Sequence, residues 1–140
     1  MSERAPHARW IALGAVAIVF GLVTIFEGGS VLFVDGAARR DAGHFVPFVV
    51  WMNFLAGFAY VVAGAALALG RAWAARLSVA IAAVTALGSI AFGAHVLAGG
   101  AFERRTVFAL ALRTAFWSLL AWRATRRFSA RACCGGRRAA

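Results

Sequence analysis

The chain has 140 residues, of which 63% are hydrophobic and 14% are charged, with a mean hydropathy of +0.81. A soluble domain has roughly 45–50% apolar and about 25% charged residues, so this composition excludes an ordinary water-soluble domain and an intrinsically disordered chain. The formal net charge is +10, and all 15 residues in the lysine-plus-arginine count are arginines. Most of these arginines flank long apolar runs, which argues against a nucleic-acid-binding face and indicates a small membrane protein.

Four apolar runs predict four membrane-spanning helices, at about residues 10–33, 46–69, 77–98 and 107–122. A helix needs about 20 apolar residues to cross the bilayer core, and lipid tolerates helices but not open strand edges. The first span requires that the helix continues through Glu27, and the fourth contains Arg113. Pro47 is predicted in a first helical turn, Gly70 as a terminator and Thr106 as an N-cap.

The predicted fold is therefore an all-α, integral-membrane four-helix bundle. We assign residues 1–124 to this single membrane domain and expect residues 125–140 to form a disordered, basic cytoplasmic tail. Glycines on the first run recur at a spacing of seven, at Gly14, Gly21 and Gly28. Small residues let helix backbones approach closely inside a bilayer, so these glycines predict a helix-packing face.

The arginine distribution predicts the orientation of the spans. With a cytoplasmic N-terminus, ten arginines lie on the cytoplasmic side and four, at positions 39, 40, 104 and 105, lie outside. Arginine and lysine are enriched on the cytoplasmic side of membrane proteins. Both termini are therefore predicted to be cytoplasmic, and the loops at 35–45 and 99–106 are predicted to face outward.

Polar residues within the spans predict an outward-facing pocket. At about 1.5 Å per helical residue, Glu27, Asn53 and Arg113 lie roughly 9–12 Å below the outer surface, with one histidine slightly above them. A charge inside a span costs at least about 2.5–3.5 kcal/mol, and such residues commonly mark functional sites. The predicted pocket residues are Glu27, Asn53, His95 and Arg113, and the predicted rim residues are His44, Glu103, Arg104 and Arg105.

Two interpretations of this polar layer stay open. Glu27 and Arg113 are the only residues inside the predicted spans that carry a formal charge at pH 7, so we predict that they form an ion pair. The layer is then either part of a ligand site or a structural ion pair, with Asn53 acting as an interhelical hydrogen-bonding group.

The two histidines on the outer side, His44 and His95, are candidate metal or haem ligands. Imidazole commonly binds zinc, copper and iron. The potential ligands do not follow a recognised spacing, however, and the two histidines differ in estimated depth. The cofactor therefore stays open, with a metal or haem as alternatives.

Three segments resemble a family of small four-helix bacterial inner-membrane proteins whose members carry no assigned activity. These segments are FEGGSVLF at 26–33, FVPFVVWMNFLAGFAYVVAGAALALG at 45–70 and GGAFERRTVFALALRTAFW at 99–117. The resemblance covers most of residues 9–123. It implies a multi-pass protein of the bacterial inner membrane and adds no catalytic residue or cofactor.

The sequence contains no glycine-rich phosphate loop, no G-x-S-x-G, no H-E-x-x-H and no C-x-x-C. These absences favour a non-enzymatic role, and whether the chain is an enzyme stays open. The predicted function is a membrane module that binds a small ligand or metal in the pocket, or an accessory subunit of a larger complex. The alternatives are a redox protein that binds haem or quinone, and a minimal oligomeric transporter or channel. The expected partners are the lipid bilayer and either further copies of the chain or a larger membrane complex, with no nucleic acid.

Overall fold

The computed structural model describes residues 4–34, 36–41, 43 and 45–135, with side chains for all of these except residues 4–6, 38 and 128–135. Its five helices are α1 (Arg4–Phe33), α2 (Ala37–Asp41), α3 (Pro47–Ala68), α4 (Trp73–Leu97) and α5 (Arg104–Gly135). The described residues form no strand. Four helices are long and apolar enough to cross a membrane, at His7–Phe33, Pro47–Ala68, Trp73–Leu97 and Arg104–Arg127. The predicted all-α class and the four apolar helices are confirmed.

The helix ends differ from the predicted spans because an apolar run marks only the part of a helix that suits lipid. Helix α1 begins before Trp10 and α4 begins at Trp73, four residues before its predicted span. Helix α5 continues to Gly135, well into the segment predicted to be a disordered tail. Residues 125–135 include three arginines and two alanines, which are strong helix formers.

Two of the three predicted helix-end signals are confirmed. Pro47 is the first residue of α3, where its missing N–H leaves no hydrogen bond unmade. Gly70 follows α3 with a φ of +67°, a conformation that favours glycine. The predicted N-cap at Thr106 is wrong: α5 begins at Arg104, and the Thr106 N–H donates to the carbonyl of Glu103 within the first turn.

The outer surface of the four long helices is apolar. Large hydrophobic side chains project away from the bundle on every long helix, and the most exposed include Phe26, Leu97 and Phe108, at 76%, 91% and 73%. In water such a surface would be unfavourable, because burial of apolar area is the main force in folding. The arrangement suits a hydrocarbon environment.

Helix α1 packs closely along α3, through glycines. A Cβ atom added at Gly21 would lie 2.8 Å from the carbonyl oxygen of Gly57, and one added at Gly14 would lie 2.5 Å from that of Gly64. The order of the contacts reverses between the two helices, so α1 and α3 are antiparallel. The glycines that recur every seven residues in α1 therefore lie at the α1–α3 interface, as the sequence predicts.

The buried core is divided along the bundle axis. One part of the core lies in the half of the bundle that is nearer the α3–α4 turn. There Tyr60 and Trp117 are fully buried among alanines, and their ring centroids are 4.7 Å apart. At the opposite end, Val46, Val49, Phe92 and Leu110 form a smaller cluster. This second end carries the connections from α1 to α3 and from α4 to α5, and we call it the cavity end. Helix α4 packs mainly on α5, and a cavity lies between α1, α3 and α5 at the cavity end.

Candidate functional site

A cavity of about 440 Å³ opens at the cavity end between α1, α3 and α5. Its volume lies within the range of about 300–1,000 Å³ that is usual for small-molecule sites. Its wall combines an apolar surface with charged and polar side chains. The lining residues are Thr24, Glu27, Gly28, Val31, Asp41, Phe45, Val46, Val49, Val50, Asn53, Glu103, Arg105, Thr106, Ala109 and Arg113.

Helical periodicity explains why these residues share one cavity. On α1, Thr24 lies three residues before Glu27, so both project from the same face. On α3, Val49 and Asn53 are four residues apart, and on α5 Arg113 lies seven residues, or about two turns, after Thr106. Each of the three helices therefore contributes to the cavity wall a row of residues that runs along the helix axis.

The deepest polar groups of the wall lack hydrogen-bond partners. Thr24 is 1% exposed and Arg113 is 7% exposed, and the Thr24 Oγ1 and Arg113 Nε atoms form no hydrogen bond. The Asn53 Oδ1 atom is buried and unpartnered as well. Buried polar groups are almost always hydrogen-bonded, to protein, water or ligand. The contents of the cavity are therefore expected to supply the missing partners.

Arg113 does not form the predicted salt bridge. Among the described residues, no carboxylate lies within 4.0 Å of its guanidinium, although Glu27 is close enough for a favourable Coulomb interaction. The guanidinium carbon instead lies 5.9 Å from the centre of the Phe20 ring, a cation–π contact. Glu27 remains exposed at the cavity wall. The structure brings the two residues to one cavity but leaves their charges unpaired.

Five of the eight residues predicted for the pocket and its rim line this cavity. They are Glu27, Asn53 and Arg113 of the predicted pocket, and Glu103 and Arg105 of the predicted rim. Arg104 is exposed and does not line the cavity. His44 lies outside the described residues, so its predicted place at the rim and as a metal ligand is not tested.

His95 lies in a different place from the one predicted. It lines a smaller, adjacent cavity of about 230 Å³ with Phe45, Val46, Pro47 and Ala101, and Phe45 and Val46 also line the larger cavity. Its Nε2 atom is 3.4 Å from the carbonyl oxygen of Ala101. The estimated depth of His95 along α4 does not predict which cavity the residue lines, because depth does not specify the side of the helix on which a residue lies.

The described residues contain no group of three or more histidine, cysteine, aspartate or glutamate side chains that could hold a metal ion. His95 also lies outside the cavity that contains the acidic side chains.

Three polar lining residues were absent from the predicted site: Thr24, Asp41 and Thr106. A sequence signal existed for Thr24, which lies one turn before Glu27 on the same helix face. Asp41 ends the short helix α2, which was not predicted from the sequence. Thr106 was assigned to a helix cap instead of to the wall.

Comparisons of the chain with protein-family models, with curated proteins and with solved structures give no match. The geometry and chemistry of the cavity are therefore the basis for assigning a function.

Proposed function

We propose that this chain is a multi-pass membrane protein that binds a small polar ligand, without catalysis, in the cavity between α1, α3 and α5. One observation carries the proposal: Arg113 and Thr24 are more than nine-tenths buried and line a cavity of about 440 Å³, and the Arg113 Nε and Thr24 Oγ1 atoms have no hydrogen-bond partner among the described residues. A buried guanidinium is costly in a membrane span unless something compensates its charge. A ligand in the cavity would supply that compensation.

We propose the bacterial inner membrane as the location, with both termini cytoplasmic and the cavity open to the outside. The apolar outer surface and the four long helices support a membrane location. The ten-to-four distribution of arginines supports the orientation. The resemblance of three segments to a bacterial inner-membrane family supports the choice of membrane. In this orientation the ligand comes from the extracytoplasmic side.

Binding of native metabolites tests the proposed function even while the ligand is unidentified. The purified protein in lipid nanodiscs is incubated with the fraction of a cell extract below 1 kDa and then analysed by native mass spectrometry. We expect a bound small molecule of defined mass. Ala109 lines the cavity, so Ala109→Phe should fill part of it and abolish the complex.

Ala111→Phe is the matched control, because Ala111 is exposed on the same helix and lies outside the cavity. This variant should retain the bound mass. If wild-type protein retains nothing, or if both variants bind as wild type does, the proposed function is wrong.

A further inference from the structure

We infer that the ligand of this cavity is a small zwitterion, whose anionic group binds Arg113 and whose cationic group lies nearer the mouth, beside Glu27 and Asp41. The inference rests on the proposed ligand-binding function and specifies the chemical class of the ligand. It follows from the placement of charges along the cavity wall.

The anionic group is assigned by the arginine at the inner end. Arg113 lies about two helical turns, or roughly 10 Å, beyond Thr106 at the start of α5. Its side chain keeps its positive charge and presents only donors, yet its Nε has no acceptor among the described residues. A carboxylate accepts hydrogen bonds from a guanidinium in a bidentate arrangement, which is the strongest available match. Thr24, also unpartnered, adds a hydroxyl donor at the same inner end.

The cationic group is assigned by carboxylates that line the wall nearer the mouth. Glu27 projects from α1, and Asp41 ends α2 in the connection between α1 and α3. Both are exposed. The acidic side chains do not converge into a metal-binding group among the described residues. Their separation suits an ammonium or quaternary ammonium group, which several carboxylates attract over a distance, better than a single metal ion.

The charges and the apolar residues that line the cavity restrict the chemical class of the ligand. Three carboxylates, of Glu27, Asp41 and Glu103, and two guanidinium groups, of Arg105 and Arg113, line the same cavity. The wall thus carries charges of both signs, so a ligand that itself carries both signs can be matched by an opposite charge at each end. Val31, Val46 and Val49 line the same cavity, and their apolar surface suits a short aliphatic segment. A free amino acid or a betaine has this combination of features.

A series of matched probes tests the inference. We would measure affinities by isothermal titration calorimetry, with wild-type protein in nanodiscs, for the ω-amino acids from glycine to 6-aminohexanoate. For each chain length the corresponding n-alkylamine and n-alkanoate are measured too. We expect at least one amino acid to bind at least ten times more tightly than both of its singly charged analogues.

Variants assign the two ends of the ligand. Arg113→Gln should weaken binding of the preferred amino acid by about 10- to 100-fold, because it removes charged hydrogen bonds. Arg113→Lys keeps the positive charge but loses the bidentate geometry, so this variant should bind with an intermediate affinity. It replaces Arg113→Gln in the test if Arg113→Gln fails to fold. Glu27→Gln should weaken the amino acid and the amine but leave the alkanoate unchanged. Arg123→Gln, at an exposed arginine of α5 outside the cavity, should bind as wild type does.

The possible results separate this inference from the proposed function. Equal affinities for an amino acid and its alkanoate would show an anion site, and equal affinities for an amino acid and its amine would show a cation site. Either result, or the absence of binding by every probe, overturns the zwitterion. In each case the proposed function still stands if the extract yields a bound molecule that Ala109→Phe excludes.

Discussion

The guanidinium carbon of Arg113 lies 5.9 Å from the centre of the Phe20 ring, and no salt bridge joins Arg113 to Glu27. A positive charge over an aromatic face is stabilised by about 0.5–2 kcal/mol, less than a buried cation loses on leaving water. The protein's own side chains therefore compensate the charge of Arg113 incompletely. This relationship determines the expected behaviour of its variants.

Replacement of the buried charge should not destabilise the ligand-free protein. We expect Arg113→Met, which keeps most of the side-chain stem, to be as stable as wild type or more stable in ligand-free detergent solution, because no buried carboxylate loses its partner. Thermal unfolding followed by circular dichroism measures this. A loss of about 3–5 kcal/mol, the usual cost of breaking a buried ion pair, would show that a direct pair forms in the membrane protein.

Removal of the charge on Glu27 should have little effect on folding. The side chain is exposed at the cavity wall and makes no direct ion pair, so Glu27→Gln should change the free energy of unfolding by less than about 0.5 kcal/mol. Chemical unfolding in mixed micelles gives this quantity. A large destabilisation would instead support the structural ion pair that the sequence alone suggests.

The α1–α3 interface should be intolerant of side chains at its glycines. A Cβ atom at Gly21 would lie 2.8 Å from the Gly57 carbonyl oxygen, so we expect Gly21→Ala to destabilise the protein by about 1–3 kcal/mol. Gly93→Ala on α4 is the matched control, since a Cβ atom there meets nothing within 4 Å. That control should be neutral or stabilising, by up to about 1 kcal/mol. Similar effects of both changes on unfolding would contradict the described packing.

His95 should be dispensable for ligand binding. It lines the smaller, adjacent cavity and not that of Arg113, so His95→Gln should leave the affinity for the native ligand within a factor of two of wild type. The same native mass spectrometry experiment reports the effect. A loss of binding, or the loss of an absorption band in the visible spectrum of the purified protein, would restore the metal or haem alternative.

The orientation of the helices is testable by thiol labelling. In a background with Cys133→Ser and Cys134→Ser, single cysteines at Gly36 and Ala101 should react with a membrane-impermeant maleimide added to intact spheroplasts. A cysteine at Ala72, in the turn between α3 and α4, should react only after permeabilisation. The opposite pattern would place the cavity on the cytoplasmic side.

The sequence predicted the number of long helices and much of the cavity for a physical reason. The length of an apolar run and the polar residues that interrupt it are properties of a single helix, so both can be predicted from the sequence. Asn53 and Arg113 are examples of such polar residues. The side of a helix that meets its neighbours depends on packing, and for that reason the sequence did not show that His95 lines the smaller cavity beside Phe45 and Val46. Direct contact between side chains depends on rotamers as well. Glu27 and Arg113 have similar depths when estimated from the sequence, yet the Arg113 guanidinium lies beside Phe20, seven residues before Glu27 on α1. The two residues therefore share a wall without forming a pair.

The most direct test of the central claim is water access to the cavity from outside the cell. We would place single cysteines at Asn53, which lines the cavity, and at Leu55, which is 61% exposed on the apolar surface, in the cysteine-free background. A small charged methanethiosulfonate reagent is then added to intact spheroplasts. We predict rapid modification at position 53 and almost none at position 55, which the proposed membrane location places in lipid. Equal and slow modification at both positions, or modification at position 53 only after permeabilisation, would contradict an outward-open, water-accessible cavity.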